Sequence, residues 1–422
     1  MKAVGIIAEY NPFHSGHQWQ LNTAKSLSGC PAAVIVMSGQ FVQRGEPALF
    51  DKWLRAEMAV RSGADLVIEL PAVFALRSAQ YFAAGGVRLL QALGIISHLS
   101  FGVEDNNLAA LKKLADLADT ANTGSLVRQK LKAGLSYPAA LGQVLLTQSQ
   151  AEPATIAFTP NNILAIEYLR ALNRYAAAIL PCPVKRQHAG YHEVDISAPF
   201  ASATAIRKSV LENGCVPPTA AAVIPPASKT IIEKALHSGR GPVIAGAFET
   251  ALLARLRTMP LSAIAELPDV TEGLQHRIAD TALTATGWDE LLSAIKCKRY
   301  THTRLQRILL HALLGTTKAA IEEFDHAGPL YARVLAFSEQ GKELLRQASQ
   351  QSTIPLITKT THFLNSQQRY MAPLTPLQTM LAVDSTASDI YSLGFANPAL
   401  RYGGWDFRQS PVYLTTRPPA TV

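Results

Sequence analysis

Continuous apolar runs and amphipathic segments alternate along the first part of the chain. Residues 2–8, 32–37, 65–70 and 95–101 are mostly apolar and are followed by turn-forming residues. Runs of this length, bounded by turn signals, favour buried strands over helices. The segments between them repeat their apolar residues at helical spacing, as in DKWLRAEMAVRS at residues 51–62. This alternation predicts a parallel, doubly wound α/β sheet.

A Pro- and Ala-rich stretch, CVPPTAAAVIPPAS at residues 215–228, interrupts this pattern. We interpret it as a domain boundary. The chain is therefore predicted to form two domains, residues 1–228 and residues 229–422. Helical spacing predicts a mainly helical second domain up to about residue 363. The turns and aromatic residues from residue 385 onwards favour a small sheet.

The composition is that of a folded protein, with 48% hydrophobic and 17% charged residues among 422. The net charge of +8 favours a polyanionic partner, although many basic proteins bind no nucleic acid. The four cysteines are far apart without CxxC spacing, so we expect no zinc site and no disulfide framework. Neither a secretory signal nor a membrane-length apolar run is apparent, and we expect a cytoplasmic protein without membrane contact.

The HSGH segment, residues 14–17, lies between the first predicted strand and a predicted helix. Asn11-Pro12 breaks the chain just before it. A helix N-terminus suits phosphate because it offers unpaired N–H groups and a partial positive charge. Gly16 allows close approach of a nucleotide, and His14 and His17 can donate hydrogen bonds to phosphate oxygens. Alternatively, one histidine caps the helix and the other packs; the preceding strand and turn favour the functional interpretation.

A second segment, SATAIRK at residues 202–208, has a plausible N-cap in Ser202 and a cation in Arg207. AEYNPFHSGH and this segment resemble the two signatures of the HxGH nucleotidyltransferase superfamily. EYNPFHSGH, MSGQFVQRGEPA, KWLRAEMAV, ELP and FGVE are together similar to the bacterial tRNA(Met) cytidine acetate ligase family, over most of the chain. The resemblance implies a Rossmann-like HUP-type nucleotidyltransferase domain that binds ATP and directs attack at its α-phosphate.

The same resemblance implies the residues of the site. His14, His17 and Arg207 are the expected catalytic residues, with Arg207 neutralising the leaving pyrophosphate together with Mg²⁺, and no protein metal ligand is assigned. Expected ATP contacts are Ile7, Ala8, Glu9, Tyr10, Asn11, Pro12, Phe13, His14, Ser15, Gly16, His17, Gln18, Trp19, Gln20, Gly102, Asn162, Arg186, Ser202 and Thr204. Gly102, Asn162 and Arg186 rest on the resemblance alone, and the adjacent Asn161 and Lys185 remain alternatives.

Arg44, in the segment QRGEP at residues 43–47, is a candidate for orienting a carboxylate substrate through a bidentate contact. An ion pair between Arg44 and Glu46 is an equally good explanation. The residues that contact acetate are therefore left open.

The densest basic run is KCKRYTHTRLQR, residues 296–307. A solvated charged face is the usual explanation of such a run, but the net charge and the family's tRNA substrate favour a surface that grips the RNA backbone. Arg304 and Arg307 share one helical face, whereas Leu305, Ile308 and Leu309 are predicted to face the core. The aromatics of RYGGWDFRQSPVY are more often the core of a hairpin than a base-stacking surface. The expected tRNA contacts are Lys296, Lys298, Arg299, Arg304 and Arg307.

These observations favour an ATP-dependent ligase that activates acetate as acetyl-AMP. The resemblance implies transfer of the acetyl group to the N4 amine of the wobble cytidine of elongator tRNA(Met), giving N4-acetylcytidine. The expected partners are this tRNA and acetate, without a stable protein partner. Alternatives are a nucleotidyltransferase that joins AMP or CMP to a small phosphorylated metabolite, and a non-catalytic RNA-binding protein with a relic site.

Overall fold

A computed structural model describes residues 2–104, 107–135, 137–149, 158–186 and 201–415. The strands are β1 (Ala3–Ala8), β2 (Ala32–Ser38), β3 (Phe41–Val42), β4 (Glu46–Pro47), β5 (Leu66–Leu70), β6 (Ile96–Val103), β7 (Leu180–Lys185), β8 (Ala332–Ser338), β9 (Leu356–Ile357) and β10 (Val412–Leu414). The helices are α1 (Ser15–Ser28), α2 (Lys52–Arg61), α3 (Ala72–Ala75), α4 (Ala79–Ala92), α5 (Leu108–Ala118), α6 (Ala121–Lys132), α7 (Tyr137–Ser149), α8 (Pro160–Tyr175), α9 (Ala203–Asn213), α10 (Pro218–Ala221), α11 (Pro226–Ser238), α12 (Glu249–Thr258), α13 (Leu261–Ala265), α14 (Leu274–Thr284), α15 (Trp288–Ile295), α16 (His302–Leu314), α17 (Lys318–Ala327), α18 (Glu339–Gln351), α19 (Pro376–Ser392) and α20 (Trp405–Arg408).

The main sheet has the strand order β10-β8-β5-β2-β1-β6-β7, and β9 pairs with β8. All of its pairs are parallel except that of β5 with β8. The four strands predicted from the apolar runs are confirmed as β1, β2, β5 and β6. The predicted α/β class is confirmed, with a sheet that is mostly parallel.

Alternate residues of the central strands face two different cores. In β2, Ala33 and Ile35 pack on the side of α1 and α2, whereas Val34 and Val36 pack on the side of α4 and α8. Both faces are therefore covered by helices, which explains why these strands read as continuous apolar runs. The carboxyl ends of β1, β2, β6 and β7 lie at one edge of the sheet, where such folds bind ligands.

The stretch from residue 229 to about residue 363 is mainly helical, as predicted, with α11 to α18. It also contains β8, a strand that the sequence did not predict, which pairs antiparallel with β5 through Ile68 and Val334. The prediction of a separate small sheet in the tail is wrong for the described residues up to 415, because α19 spans residue 385 and β10 extends the main sheet next to β8. A short apolar run among helices cannot be told from a buried helical segment by its periodicity, and the partner strand is distant in sequence.

The division of the chain at residue 228 stays a prediction. The main sheet takes strands from both sides of that position, since β8 pairs with β5. One core likewise contains Tyr10 together with Phe248 and Trp288. Among the described residues, no helix combines the length and the apolar character required to cross a bilayer.

Candidate active site

The turn after β1 has a tightly fixed backbone. Asn11-Pro12 is a cis peptide, and Tyr10 has φ of 46°, in the left-handed region that few non-glycine residues adopt. The buried Asn11 side chain accepts a hydrogen bond through Oδ1 from the Leu49 backbone N–H at 2.7 Å. Phe13 and Tyr10 are buried and meet edge to face, with ring centroids 4.7 Å apart. The turn therefore holds the first turn of α1 in a defined orientation.

Both histidines of the HSGH segment use one ring nitrogen to cap α1. His14 Nδ1 accepts from the Gly16 N–H at 3.0 Å, and His17 Nδ1 accepts from the His14 N–H at 3.3 Å. Since both Nδ1 atoms are acceptors, each neutral ring carries its proton on Nε2. The ring centroids are 3.7 Å apart. Capping and ligand binding are thus not alternatives here, because capping fixes the tautomer that presents an Nε2–H donor.

The electrostatic surroundings keep both rings neutral. Burial lowers the pKa of His14 to about 3, and the positive charges of Arg186 and Arg207 act in the same direction. The pKa of His17 is lowered well below its ordinary value by burial first, then by His14 and Arg186. The two rings therefore act as neutral hydrogen-bond donors at pH 7, and the positive charge of the site resides on guanidinium groups.

The backbone N–H groups at the start of α1 are already used within the chain. The Ser15 N–H donates to the Val223 carbonyl at 2.9 Å, and the Gly16 N–H donates to His14 Nδ1. The N–H groups of His17 and Gln18 both point to the His14 carbonyl. The expectation of unpaired N–H groups for phosphate at this helix terminus is therefore wrong. The partial positive charge of the terminus and the Nε2–H groups of the two histidines can still bind phosphate.

The second signature meets the first in space. Ser202 caps α9, with Oγ accepting from the Ala205 N–H at 3.0 Å, as predicted. Arg207, one turn further, donates from Nη1 to the Asn11 carbonyl at 3.0 Å and from Nη2 to Thr204 Oγ1 at 3.2 Å. Thr204 itself is exposed. The guanidinium group that the sequence assigned to pyrophosphate is thus fixed beside the histidine turn.

Three positions were assigned by resemblance alone: Gly102 near the end of β6, Arg186 directly after β7, and Asn162 in the first turn of α8. Gly102 pairs with Val184, and a Cβ at Gly102 would lie 3.5 Å from Arg186 Cγ. Asn162 is fully buried, and its Oδ1 accepts from the Glu104 N–H at 3.1 Å. This contact gives Asn162 the role of holding the loop after β6. Its neighbour Asn161 accepts from Arg186 Nη1 at 3.4 Å and so lies closer to the charged side chains of the site.

The remaining predicted ATP positions differ in what they can offer. Ile7 and Phe13 are buried in the two cores, so their side chains are occupied by packing. Gln18 points away from the turn, with Nε2 donating to the Ser62 carbonyl at 3.4 Å. The half-buried or buried positions Ala8, Pro12, Trp19 and Gln20 lie along the same turn and helix. Their contacts with ATP stay predictions.

A fully buried arginine, which the sequence reasoning missed, organises this edge of the sheet. The Arg55 guanidinium donates to the backbone carbonyls of Glu9 (2.6 Å), Ser38 (3.1 Å), Phe50 (2.8 Å) and Gly39. It therefore joins the carboxyl ends of β1 and β2. A charged residue among the apolar positions of DKWLRAEMAVRS was the available signal, because an arginine is rarely fully buried without satisfied donors.

The β3–β4 hairpin connects the histidine turn with α16. The Gln43 N–H donates to Glu9 Oε1 at 2.8 Å, and the Gln43 carbonyl accepts from Arg307 Nη1 at 3.2 Å. Gly45 has φ of 80°, and a Cβ there would lie 2.5 Å from the Arg307 backbone nitrogen. Only glycine fits this close approach. The helix that carries the basic run is therefore attached to the candidate active site.

The basic run does not form one uniform exposed patch. Arg307 is 7% exposed, and Leu305, Ile308 and Leu309 are buried as predicted. Four of the candidate side chains contact other parts of the chain: Arg307 contacts Gln43, Arg304 the Asp269 carbonyl, Arg299 the Glu272 carboxylate, and Lys296 the Cys297 carbonyl. Lys298 is exposed. A direct role in gripping RNA stays a prediction for all five, of which Lys298 and Arg299 are the exposed ones.

Among the described residues, no three His, Cys, Asp or Glu side chains are grouped so that they could hold a metal ion. The described residues offer at this edge two neutral Nε2–H donors, the guanidinium groups of Arg207 and Arg186, and the carboxylate of Glu9. Donors and cations in this arrangement suit the phosphates of a nucleotide.

Comparison with known proteins identifies the family. The family model described as HIGH Nucleotidyl Transferase matches residues 1–403. The tRNA(Met) cytidine acetate ligase of Syntrophomonas wolfei is 39% identical, over 98% of this chain and 99% of that protein. The one from Acetivibrio thermocellus is 39% identical, over 98% and 100%. The chain belongs to the tRNA(Met) cytidine acetate ligase family.

Solved structures agree with this family assignment. Thermotoga maritima TmcAL bound with alpha-thio ATP is 31% identical, with a TM-score of 0.89 over 99% of this chain and 100% of that one. The apo form I of the same protein is 30% identical, with a TM-score of 0.91 and the same coverage. The overall fold is thus that of the ligase family.

Proposed function

We propose that the protein uses ATP to activate acetate and then acetylates the N4 amine of the wobble cytidine of elongator tRNA(Met). The family assignment and the ATP analogue bound by the Thermotoga maritima relative support the use of ATP and tRNA. The observation that carries the proposal within this chain is the contact between Arg207 and the Asn11 carbonyl. It assembles both nucleotidyltransferase signatures into one site.

In the first step, an acetate oxygen attacks the α-phosphorus of ATP, and the bond to the bridging oxygen of pyrophosphate breaks. Negative charge then develops on the phosphate oxygens. The Nε2–H groups of His14 and His17 donate to these oxygens, and Arg207 neutralises the departing pyrophosphate. Because the capping bonds hold both rings, the donors need little reorganisation as charge builds up.

In the second step, the cytidine N4 attacks the acetyl carbon, and AMP leaves with the electron pair of the broken C–O bond. Activation is needed because a carboxylate is a poor acyl donor, whereas AMP is a good leaving group. The anticodon loop presents unpaired bases that can be splayed out, as sequence-specific RNA recognition commonly requires. The attachment of α16 to the hairpin beside Glu9 supports an approach of the tRNA from the side of Lys298.

Mg²⁺ is expected to arrive with ATP, since this ion prefers phosphate oxygens and water to sites built from protein ligands alone. Arg44 remains a candidate for orienting acetate, with an ion pair to Glu46 as the equal alternative; its positive charge lowers the pKa of Glu9, so it lies near the site. Because both ATP and tRNA are cytoplasmic substrates, we propose a cytoplasmic location.

The test is pyrophosphate release from ATP with acetate, with and without elongator tRNA(Met), followed by mass analysis of the tRNA nucleosides. We expect acetate-dependent release and N4-acetylcytidine in the tRNA. His14→Ala serves as a matched variant that should lose modification while still binding tRNA. No release with acetate, but a dinucleotide product with a phosphorylated metabolite such as phosphopantetheine, would contradict the ligase.

A further inference from the structure

Glu9 occupies a position between the nucleotide side and the RNA side of the site. It directly follows β1 and precedes the turn that leads to His14. Its backbone carbonyl accepts from Arg55 Nη1 at 2.6 Å, and its Oε1 accepts from the Gln43 N–H at 2.8 Å. Gln43 in turn accepts from Arg307, on the helix of the basic run. The carboxylate is therefore held from both sides and does not depend on a flexible loop.

One oxygen of this carboxylate has no hydrogen bond from the described part of the chain. Oε1 accepts the Gln43 N–H, whereas Oε2 accepts no hydrogen bond from any residue that the structure describes. Glu9 is half-buried, and its Oε2 is not enclosed by the protein but keeps some exposure to solvent. A carboxylate with one anchored oxygen and one accessible oxygen has the geometry of a positioned proton acceptor.

The charges around Glu9 come from several elements. Arg44 and Glu46 lie on the hairpin and Arg207 on α9, while Arg55 and Tyr168 are packed beneath on α2 and α8. Burial raises the pKa of the Glu9 carboxyl above its ordinary value, despite the Gln43 hydrogen bond and the positive charges of Arg44 and Arg207, which lower it. A raised pKa makes a carboxylate a stronger base near neutral pH.

The second step of the proposed function creates a need for such a group. The exocyclic amine of cytidine is a weak nucleophile, because its lone pair is delocalised into the ring. When it bonds to the acetyl carbon, the nitrogen becomes acidic and must lose a proton as AMP departs. We propose that Glu9 Oε2 is the proton acceptor for the cytidine N4 during acetyl transfer. The C–N bond forms, the C–O bond to AMP breaks, and the N4 proton moves to the Glu9 carboxylate.

This inference rests on the proposed function, but it can be tested apart from it because the two chemical steps are separable. Acetate-dependent exchange of pyrophosphate into ATP reports the first step. Single-turnover transfer from supplied acetyl-AMP to elongator tRNA(Met) reports the second. Glu9→Gln retains a side-chain oxygen that can accept the Gln43 N–H and removes the basic oxygen. A purely anchoring role for Glu9 predicts that this variant transfers acetyl groups normally.

With Glu9→Gln we expect transfer to slow by about 100-fold or more, and exchange to slow much less. In the wild type, the transfer rate should fall as the pH drops through the raised pKa of Glu9, whereas the variant should lack this acid limb. Glu46→Gln, a change of the same kind on the hairpin, should keep the rate near neutral pH and retain the limb, moved to lower pH because the Glu46 charge helps to raise the pKa of Glu9. If Glu9→Gln is poorly folded, Glu9→Asp takes its place, with a retained acid limb and a lower rate.

Equal slowing of both steps in Glu9→Gln, or transfer at the wild-type rate, would overturn the role of Glu9 alone. Loss of the acid limb in Glu46→Gln instead would assign the proton to the hairpin. A wild-type protein that makes no acetylcytidine from acetyl-AMP would overturn the proposed function itself, so the two failures are distinguishable.

Discussion

Arg207 donates a hydrogen bond to the backbone carbonyl of Asn11 at 3.0 Å, although 196 residues separate them. The cation of the second signature is thereby fixed on the turn that carries the first. Nη1 of Arg207 makes this bond, and Nη2 donates to Thr204 Oγ1, so the guanidinium plane is held at two points. This relationship makes the two signatures one site, and it depends on a side chain with several donors in a fixed plane.

We expect Arg207→Lys to reduce acetate-dependent pyrophosphate exchange by about 100-fold. A lysine ammonium on a flexible stem cannot reproduce the planar, two-point attachment. The measurement is exchange kinetics at saturating ATP. Lys208→Met is the matched control, because Lys208 is exposed and pairs only loosely with Glu212, at 3.8 Å. Exchange in Arg207→Lys at the wild-type rate would show that the attachment is unimportant for catalysis.

The histidine rings provide a spectroscopic prediction. In the protein without ATP, both His14 and His17 should be protonated at Nε2 and should not titrate between about pH 5 and 8, because burial lowers both pKa values. Nitrogen-15 NMR of the imidazoles measures tautomer and charge together. In urea, where the protein is unfolded, both imidazoles should titrate with their ordinary pKa of about 6.5.

The lowered pKa values of His14 and His17 also determine how the stability of the fold changes with pH. A histidine whose folded pKa is depressed stabilises the fold fully above the unfolded pKa, and this contribution declines as the pH falls below it. Replacing His14 by Ala should therefore weaken the acid sensitivity of unfolding. A proton on Nδ1 of either ring would contradict the capping arrangement.

Substitutions at Arg307 and Lys298 should distinguish a role in stability from a role in tRNA binding. Arg307→Met should lower the free energy of unfolding by about 1–3 kcal/mol, because the Gln43 carbonyl loses a buried donor. Lys298→Met should change stability by less than about 0.5 kcal/mol but weaken tRNA binding and reduce the salt slope by about one. Urea unfolding and tRNA titration at several salt concentrations measure the two effects. Unchanged tRNA affinity in Lys298→Met would exclude a phosphate contact there.

Asp384 should make stability depend on pH. This buried carboxyl accepts from the Ala72 N–H at 2.7 Å and from the Tyr331 hydroxyl. Burial, followed by the charge of Glu69, raises its pKa from 3.8 to about 7. Since the folded state holds this proton more tightly, its contribution to stability is complete below pH 3.8 and is lost as the pH rises through about 7.

The expected slope is at most about 1.4 kcal/mol per pH unit within that window, and Asp384→Asn should remove it. Urea unfolding from pH 5 to 8 compares the two proteins. A wild-type protein that becomes more stable relative to Asp384→Asn as the pH rises would contradict the direction of the shift.

Local patterns were enough for the first strands and for the helix beginnings at the two signatures. β1, β2, β5 and β6 are continuous apolar runs, and the caps at Ser202 and His14 involve neighbours within three residues. Such features depend on short-range geometry, which the sequence encodes directly. The resemblance to the ligase family added Gly102, Asn162 and Arg186 as predicted ATP contacts.

Only the tertiary structure decided which distant segments meet. The sequence determined the α/β class, the strand–turn–helix arrangement around the HSGH segment and the family, because each can be read from short motifs of neighbouring residues. It did not show that β8 completes the sheet, that Arg55 joins the ends of β1 and β2, or that Arg307 is buried against the hairpin. Those contacts join residues remote in sequence, and charged side chains such as Arg55 and Arg307 are buried only because folding brings carbonyl acceptors to them.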